Sequence, residues 1–179
     1  PRLARALAEQ GWRTAAFADN PFVSPEFGFA QGFDAFTGRH PSPLARGTLL
    51  LRAAGVGPGD EVIVPAMTAA FTALAVIAAG ARPVFADVDA ERLTLEPGAA
   101  AAAITPRTRA IVPVHLYGQA ADMVELQRVA QRHKIALIED CCQAHLGTAA
   151  GVPVGTWGTG GAFSFYPTKN LGAFGDGGA

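Results

Sequence analysis

From Pro58 onward, short β-rich runs alternate with helical runs, and that rhythm leaves few folds open. Residues 61–64, Glu-Val-Ile-Val, read as a buried strand. They follow a Gly-Pro-Gly-Asp turn, in which glycine supplies positive φ and proline a fixed one. Residues 68–79 are alanine-rich and predict a helix closed by Gly80. Residues 83–88 predict the next strand, and residues 97–104 a short helix with Pro97 in its first turn. Residues 109–114 predict a further strand, where Pro113 marks a sheet edge or a strand end because it donates no ladder hydrogen bond. In residues 122–133, Met123, Leu126, Val129 and Ala130 recur at helical spacing. Residues 135–138 predict a strand that runs into Glu139-Asp140, and residues 162–165 one more. Strands joined by crossover helices run parallel, so the expectation is an α/β domain with a mostly parallel sheet and helices on both faces.

Composition narrows the function classes. Half of the 179 residues are hydrophobic, enough for one domain with a real core. The formal net charge of −1 favours neither nucleic acid nor an anionic membrane. Apolar runs such as residues 73–79 are far shorter than a bilayer span, and the first residues lack a signal-peptide pattern. A cytoplasmic protein is expected. Cys141 and Cys142 are adjacent, so they staple nothing and fall short of a metal site; no metal is expected. The chain starts on Pro1 and ends on turn-like Gly175-Asp176-Gly177-Gly178-Ala179, and it reads as a piece of something longer.

Two residues carry chemistry. Asp140 directly follows an apolar strand, at the carboxyl end where open α/β sheets bind ligands. The competing reading is a cap for a following helix. Lys169 lies in a run of small residues and glycines after the last strand, where a planar ligand can approach the backbone. Alone it reads as a solvated charge. Burial and a nearby cation would disfavour its protonated form and make it an amine nucleophile. An amine that holds an aldehyde and a carboxylate that keeps a pyridine nitrogen protonated are the pair pyridoxal 5'-phosphate (PLP) chemistry needs.

Five stretches carry a family resemblance: GPGDEVIVPAMT, ARPVFADVDAERLTL, AAITPRTRAIVPVHLYGQAADM, IALIEDCCQAH and GAFSFYPTKNLGAFGDGG. Over residues 55–179 the chain resembles the DegT/DnrJ/StrS family of PLP-dependent, mainly sugar, aminotransferases. The resemblance implies the fold type I large domain and a homodimer with active sites at its interface. It implies transfer of an amino group from an amino-acid donor, glutamate or glutamine, to a keto-sugar nucleotide. Lys169 matches the Schiff-base lysine, Asp140 the partner of the pyridine nitrogen, Gln143 a contact to the ring oxygen and Ser164 a contact to the phosphate. His145 follows the family's Gln-Ala-His pattern with no role beyond proximity. For His115 and Tyr117, in the His-Leu-Tyr-Gly turn, a structural role stands beside substrate contact. The lysine argues against the family's dehydratase branch, where a histidine replaces it. A dinucleotide-binding domain is disfavoured, because no strand is followed by G-x-G-x-x-G opening a helix.

The sequence also departs from the family. Where a Ser-Gly-Thr turn normally opens a phosphate-binding helix, the nearest candidate is Arg46-Gly47-Thr48, and the helix after it is about one turn short. Ala69 stands where many members have an aromatic to stack on the pyridine, with Met67 or Phe71 as substitutes. Residues 1–43 form an atypical segment, rich in aromatics and turn residues; up to about residue 40 it is similar to an interior stretch of sulfatases, without their nucleophile motif. Residues 44–179 are then a partial PLP-binding large domain, with the small C-terminal domain missing. An inactive remnant that binds no cofactor is the alternative to the enzyme.

Overall fold

The computed structural model describes residues 15–18, 35–37, 44–173 and 177–179. Strands β1 (Ala15–Ala18) and β2 (Ala35–Thr37) precede helix α1 (Leu44–Ala53). Then come β3 (Glu61–Pro65), α2 (Phe71–Ala79), β4 (Arg82–Ala86), α3 (Pro97–Ala102), β5 (Thr108–Ile111), α4 (Met123–His133) and β6 (Ala136–Asp140). A small hairpin of β7 (Thr148–Ala149) and β8 (Val152–Pro153) leads to β9 (Gly160–Ala162) and finally β10 (Gly177–Gly178).

Five parallel strands form the central sheet in the order β4-β3-β5-β6-β9. The chain steps outward from β3 to β4, then reverses across β3 to β5, β6 and β9. Crossovers of one hand then send α2 to one face and α3 and α4 to the other. The core shows this split at a period of two residues. Val62, Val64, Ala110, Val112 and Ile138 pack against Leu51 of α1 and Ala75, Val76 and Ala79 of α2. Ile63, Ile111 and Leu137 face the other way, onto Ala100 of α3 and Met123, Leu126 and Ala130 of α4. Burial on both faces is why these strands read as unbroken apolar runs. Each buried valine, leucine, isoleucine or methionine among them contributes about 1.5–3 kcal/mol.

The α/β reading therefore holds, and boundaries moved for local reasons. The helix expected from residue 68 starts at Phe71; Ala66 N is still held by Ala86 O in the sheet, and Ala70 offers no capping side chain. Gly80 closes α2 at φ 92°, the left-handed conformation expected of it. Asp122 stands outside α4 as its cap, accepting from Glu125 N at 3.2 Å. β5 stops at Ile111 in the middle of the sheet, so Pro113 marks a strand end and not an edge; its carbonyl accepts from Asp140 N. Past β9, Phe163 and Phe165 pair antiparallel with residues 177–179. β10 in turn pairs antiparallel with β1, which runs parallel to β2. Of the aromatic-rich residues 1–43, only those two short strands belong to the described residues. Exposed apolar side chains do occur, among them Phe71 and Ile77 on α2 and Phe85 on the outer strand β4.

Candidate functional site

The carboxyl ends of β3, β5, β6 and β9 open onto a cleft of about 450 Å³, the size of a small-ligand pocket. The loop into α2 lines it with Thr68, Ala69, Phe71 and Thr72. α1 adds Gly47 and Leu51, and the strand ends add Val112, Val114 and Asp140. Cys142, Gln143, Ser164, Tyr166, Thr168 and Lys169 complete the wall. All four residues singled out from the sequence thus border one cavity.

Asp140 is the last residue of β6 and half-buried. Its main chain is clasped on both sides, by Pro113 O and by His115 N. Its carboxylate accepts from Thr72 Oγ1 at 2.8 Å and from Cys142 N at 3.1 Å. No helix follows: residues 141–147 form turns, which removes the helix-cap reading. Gln143 accepts from Tyr117 N through Oε1 at 3.0 Å. Only the amide oxygen can accept from a backbone N–H, so the Gln143 NH2 remains as a donor. Tyr117 reaches this position in the left-handed conformation, at φ 55°. Its exposed ring does not line the cleft.

Ser164 is buried, and its Oγ accepts from Tyr166 N at 3.3 Å, which leaves the hydroxyl proton to give. Lys169 is half-buried in a turn closed by its own N–H to Tyr166 O at 2.8 Å. That loop needs a glycine at 172, where a Cβ would lie 2.5 Å from Pro167 O. His145 sits outside the cleft lining, packed on Phe163 and Phe165 at ring distances of 5.8 and 5.6 Å. Its ring nitrogens are buried, and burial lowers its pKa against hydrogen bonds with the Ser164 backbone and the Asn170 side chain that act to raise it.

Behind Asp140 lies a dry clamp. His115 and Glu139 are fully buried and bonded at 3.1 Å. His115 Nδ1 accepts from Ala121 N, so Nε2 carries the proton given to Glu139. Glu139 also accepts from Gly155 N at 2.7 Å and Trp157 N at 2.8 Å. Cys141 completes a cluster in which the three potential ligand atoms lie within 4.8 Å of one another. Protein hydrogen bonds occupy both imidazole nitrogens and both carboxylate oxygens there. Burial, and then the nearby carboxylates, push the Cys141 thiol well up, away from the thiolate a metal takes.

Two departures can now be located. α1 begins at Leu44, so Gly47 and Thr48 lie inside its second turn and do not open it. The N–H groups without intrahelical partners belong to residues 44–46. Thr48 is buried and donates to Ala75 O at 3.2 Å, while Gly47 lets α2 approach, its missing Cβ lying 3.0 Å from that of Ala75. Of the possible substitutes for the aromatic at Ala69, Phe71 borders the cleft and Met67 does not. The sequence reading missed Thr68 and Thr72; their signal was two hydroxyls four apart across a helix start.

Fold and cleft together define a doubly covered parallel α/β domain with an amine, a carboxylate and a hydroxyl at its carboxyl edge. The sequence profile of the DegT/DnrJ/EryC1/StrS aminotransferase family matches residues 29–179, and the chain belongs to that family. The match begins inside the segment whose resemblance to sulfatases lies largely outside the described residues. A UDP-N-acetyl-3-dehydro-alpha-D-glucosamine 3-aminotransferase of Acidithiobacillus ferrooxidans is 55% identical over 130 residues, 73% of this chain and 35% of that protein. A dTDP-3-amino-3,4,6-trideoxy-alpha-D-glucose transaminase of Micromonospora megalomicea is 53% identical over 131 residues, with the same shares. The chain thus spans about a third of the length of the curated relatives it matches. Among solved structures, DesV of S. venezuelae superposes with a TM-score of 0.72 at 50% identity, covering 75% of this chain and 36% of that one. The PLP form of Spr1654 from Streptococcus pneumoniae gives 0.70 at 33% identity, covering 75% and 38%. Among the described residues no helix is long and apolar enough to cross a membrane.

Proposed function

We propose that this chain provides the cofactor-binding part of a PLP-dependent aminotransferase that aminates a keto-sugar nucleotide or a related keto compound. The observation that carries the reading is the shared cleft: Lys169, Asp140, Gln143 and Ser164 come from separate segments and border one cavity of about 450 Å³. The donor set fits PLP, with an amine for its aldehyde, a carboxylate for its ring nitrogen, an amide NH2 for its ring oxygen and a hydroxyl for its phosphate. Bound PLP supplies an electron sink that makes the α-carbon of an attached amine acidic. Lys169 Nζ would bind the aldehyde and would be placed to act as general base. Asp140, accepting only, would keep the ring nitrogen protonated. Gln143 and Ser164 would orient the ring and the phosphate.

The relatives' names support sugar chemistry for the acceptor. The amino donor is glutamate or glutamine, and the working form is a cytoplasmic homodimer. Residues 44–179 form the PLP-binding part, and residues 1–43 stand apart from it.

The test is the absorbance spectrum of the purified chain with PLP, beside a Lys169→Ala control. A visible band lost in the control, with borohydride fixing the label on one lysine, is the expected result. If both proteins show only free PLP, the chain is a remnant that does not assemble the site.

A further inference from the structure

The residue outside the four that does most to the cleft's chemistry is Thr72. It lies in the first turn of α2 and is 6% exposed, and its hydroxyl crosses the cleft wall to Asp140 Oδ2 at 2.8 Å. A second hydroxyl, on Thr68, lies 3.4 Å from that of Thr72. Chemistry fixes the direction of this relay. A carboxylate only accepts, so Thr72 gives its single proton to Asp140, and Thr68 donates to Thr72. Asp140 Oδ1 meanwhile accepts from Cys142 N at 3.1 Å. Each carboxylate oxygen therefore has one fixed donor and a lone pair to spare. The plane of the group is set by two elements, α2 and the turn after β6.

We infer that Thr72 is a positioning residue, whose hydroxyl holds the Asp140 carboxylate in the plane in which it meets the cofactor's ring nitrogen. This rests on the PLP reading above. Cys142 N alone leaves the carboxylate free to turn about its Oδ1 contact. Thr68 steadies the relay from its outer end.

The experiment compares Thr72→Val and Thr72→Ser with wild type and Lys169→Ala. Valine keeps the volume of this buried site and removes only the hydroxyl, while serine keeps the hydroxyl. The readouts are PLP affinity by fluorescence titration, the pH dependence of the visible band of lysine-bound PLP, and thermal stability. Thr72→Val binds PLP about tenfold more weakly, the loss of a hydrogen bond to a charged group. Its visible band also titrates at a shifted pH. Thr72→Ser restores both. If valine fails to fold, Thr72→Ala is read in the same way. A folded variant without the hydroxyl that binds as wild type does, with the same pH profile, overturns this inference and leaves the PLP reading standing. A wild type that labels no lysine, like its control, overturns that reading and this inference together.

Discussion

Glu61 and Asp140 sit at opposite ends of the same parallel sheet, the first at the start of β3 and the second at the end of β6. Glu61 accepts from Thr105 Oγ1 at 2.6 Å and Arg107 Nε at 2.8 Å, and it pairs with Arg82. These contacts, Thr105 first and then the two arginines, hold its carboxyl at about 2. Asp140 has one donor on each oxygen and faces a cleft. A buried carboxylate paired with two guanidinium groups fastens the fold, and one held by neutral donors at the wall of a cleft is available to a ligand. In an open α/β sheet the carboxyl edge is where the second kind belongs.

The strongest way to break that contrast is at Glu139, a buried carboxylate with three donors yet next to Asp140. Glu139→Ala strands the buried His115 Nε2 and the half-buried Gly155 N and Trp157 N. The expected cost in urea unfolding is about 3–5 kcal/mol, the range for stranding buried partners. A loss below about 1 kcal/mol would mean the clamp is looser than its geometry. A smaller and more selective effect comes from exchanging oxygen for nitrogen at the two ends. Asp140→Asn keeps an oxygen for Thr72 or Cys142, so the fold survives, while PLP affinity falls by about ten- to a hundredfold. Glu61→Gln does the reverse: it weakens the fold and leaves PLP affinity of the folded chain unchanged. Equal affinity losses in both would erase the distinction between the two ends.

What the sequence made legible follows the same line. Strand and helix periodicity exposed the parallel sheet, since burial on both faces writes itself as runs like residues 61–64. Lys169, Asp140, Gln143 and Ser164 were legible through the register of motifs, and they border one cleft. Thr72 was not. A second hydroxyl four residues earlier is its one local sign in an alanine-rich helix start, and its partner is 68 residues away. The Glu61 and Glu139 networks were hidden for the same reason, because they join loops that only the folded sheet brings together. Whether Gly47 and Thr48 open α1 was left undecided by the sequence; Gly47 is a contact glycine inside a helix packed on Ala75, a role no local pattern marks.

The finest test of the comparison is acid titration. The Glu61 carboxyl is held at about 2 against an ordinary 4.5, so the folded state favours its ionised form. The stability this adds is complete above the unfolded value and is lost as pH falls through the folded one. Urea midpoints are therefore expected to decline toward pH 2, and the lowered pKa of the buried His145 ring starts the decline already below about pH 6.5. Asp89, held low by the N–H groups of Arg92 and Glu91, adds to the same decline. Glu61→Gln should start lower and decline less steeply, keeping only the remaining slope of groups such as Asp89. The effect is modest because Arg82 and Arg107 are each 65% exposed and screened by water and salt, so added salt should narrow the gap between the two proteins. Parallel acid profiles for wild type and variant would show that Glu61 draws no net stability from its charge. The Glu61 end of the sheet would then be held by hydrogen bonding that glutamine supplies equally well.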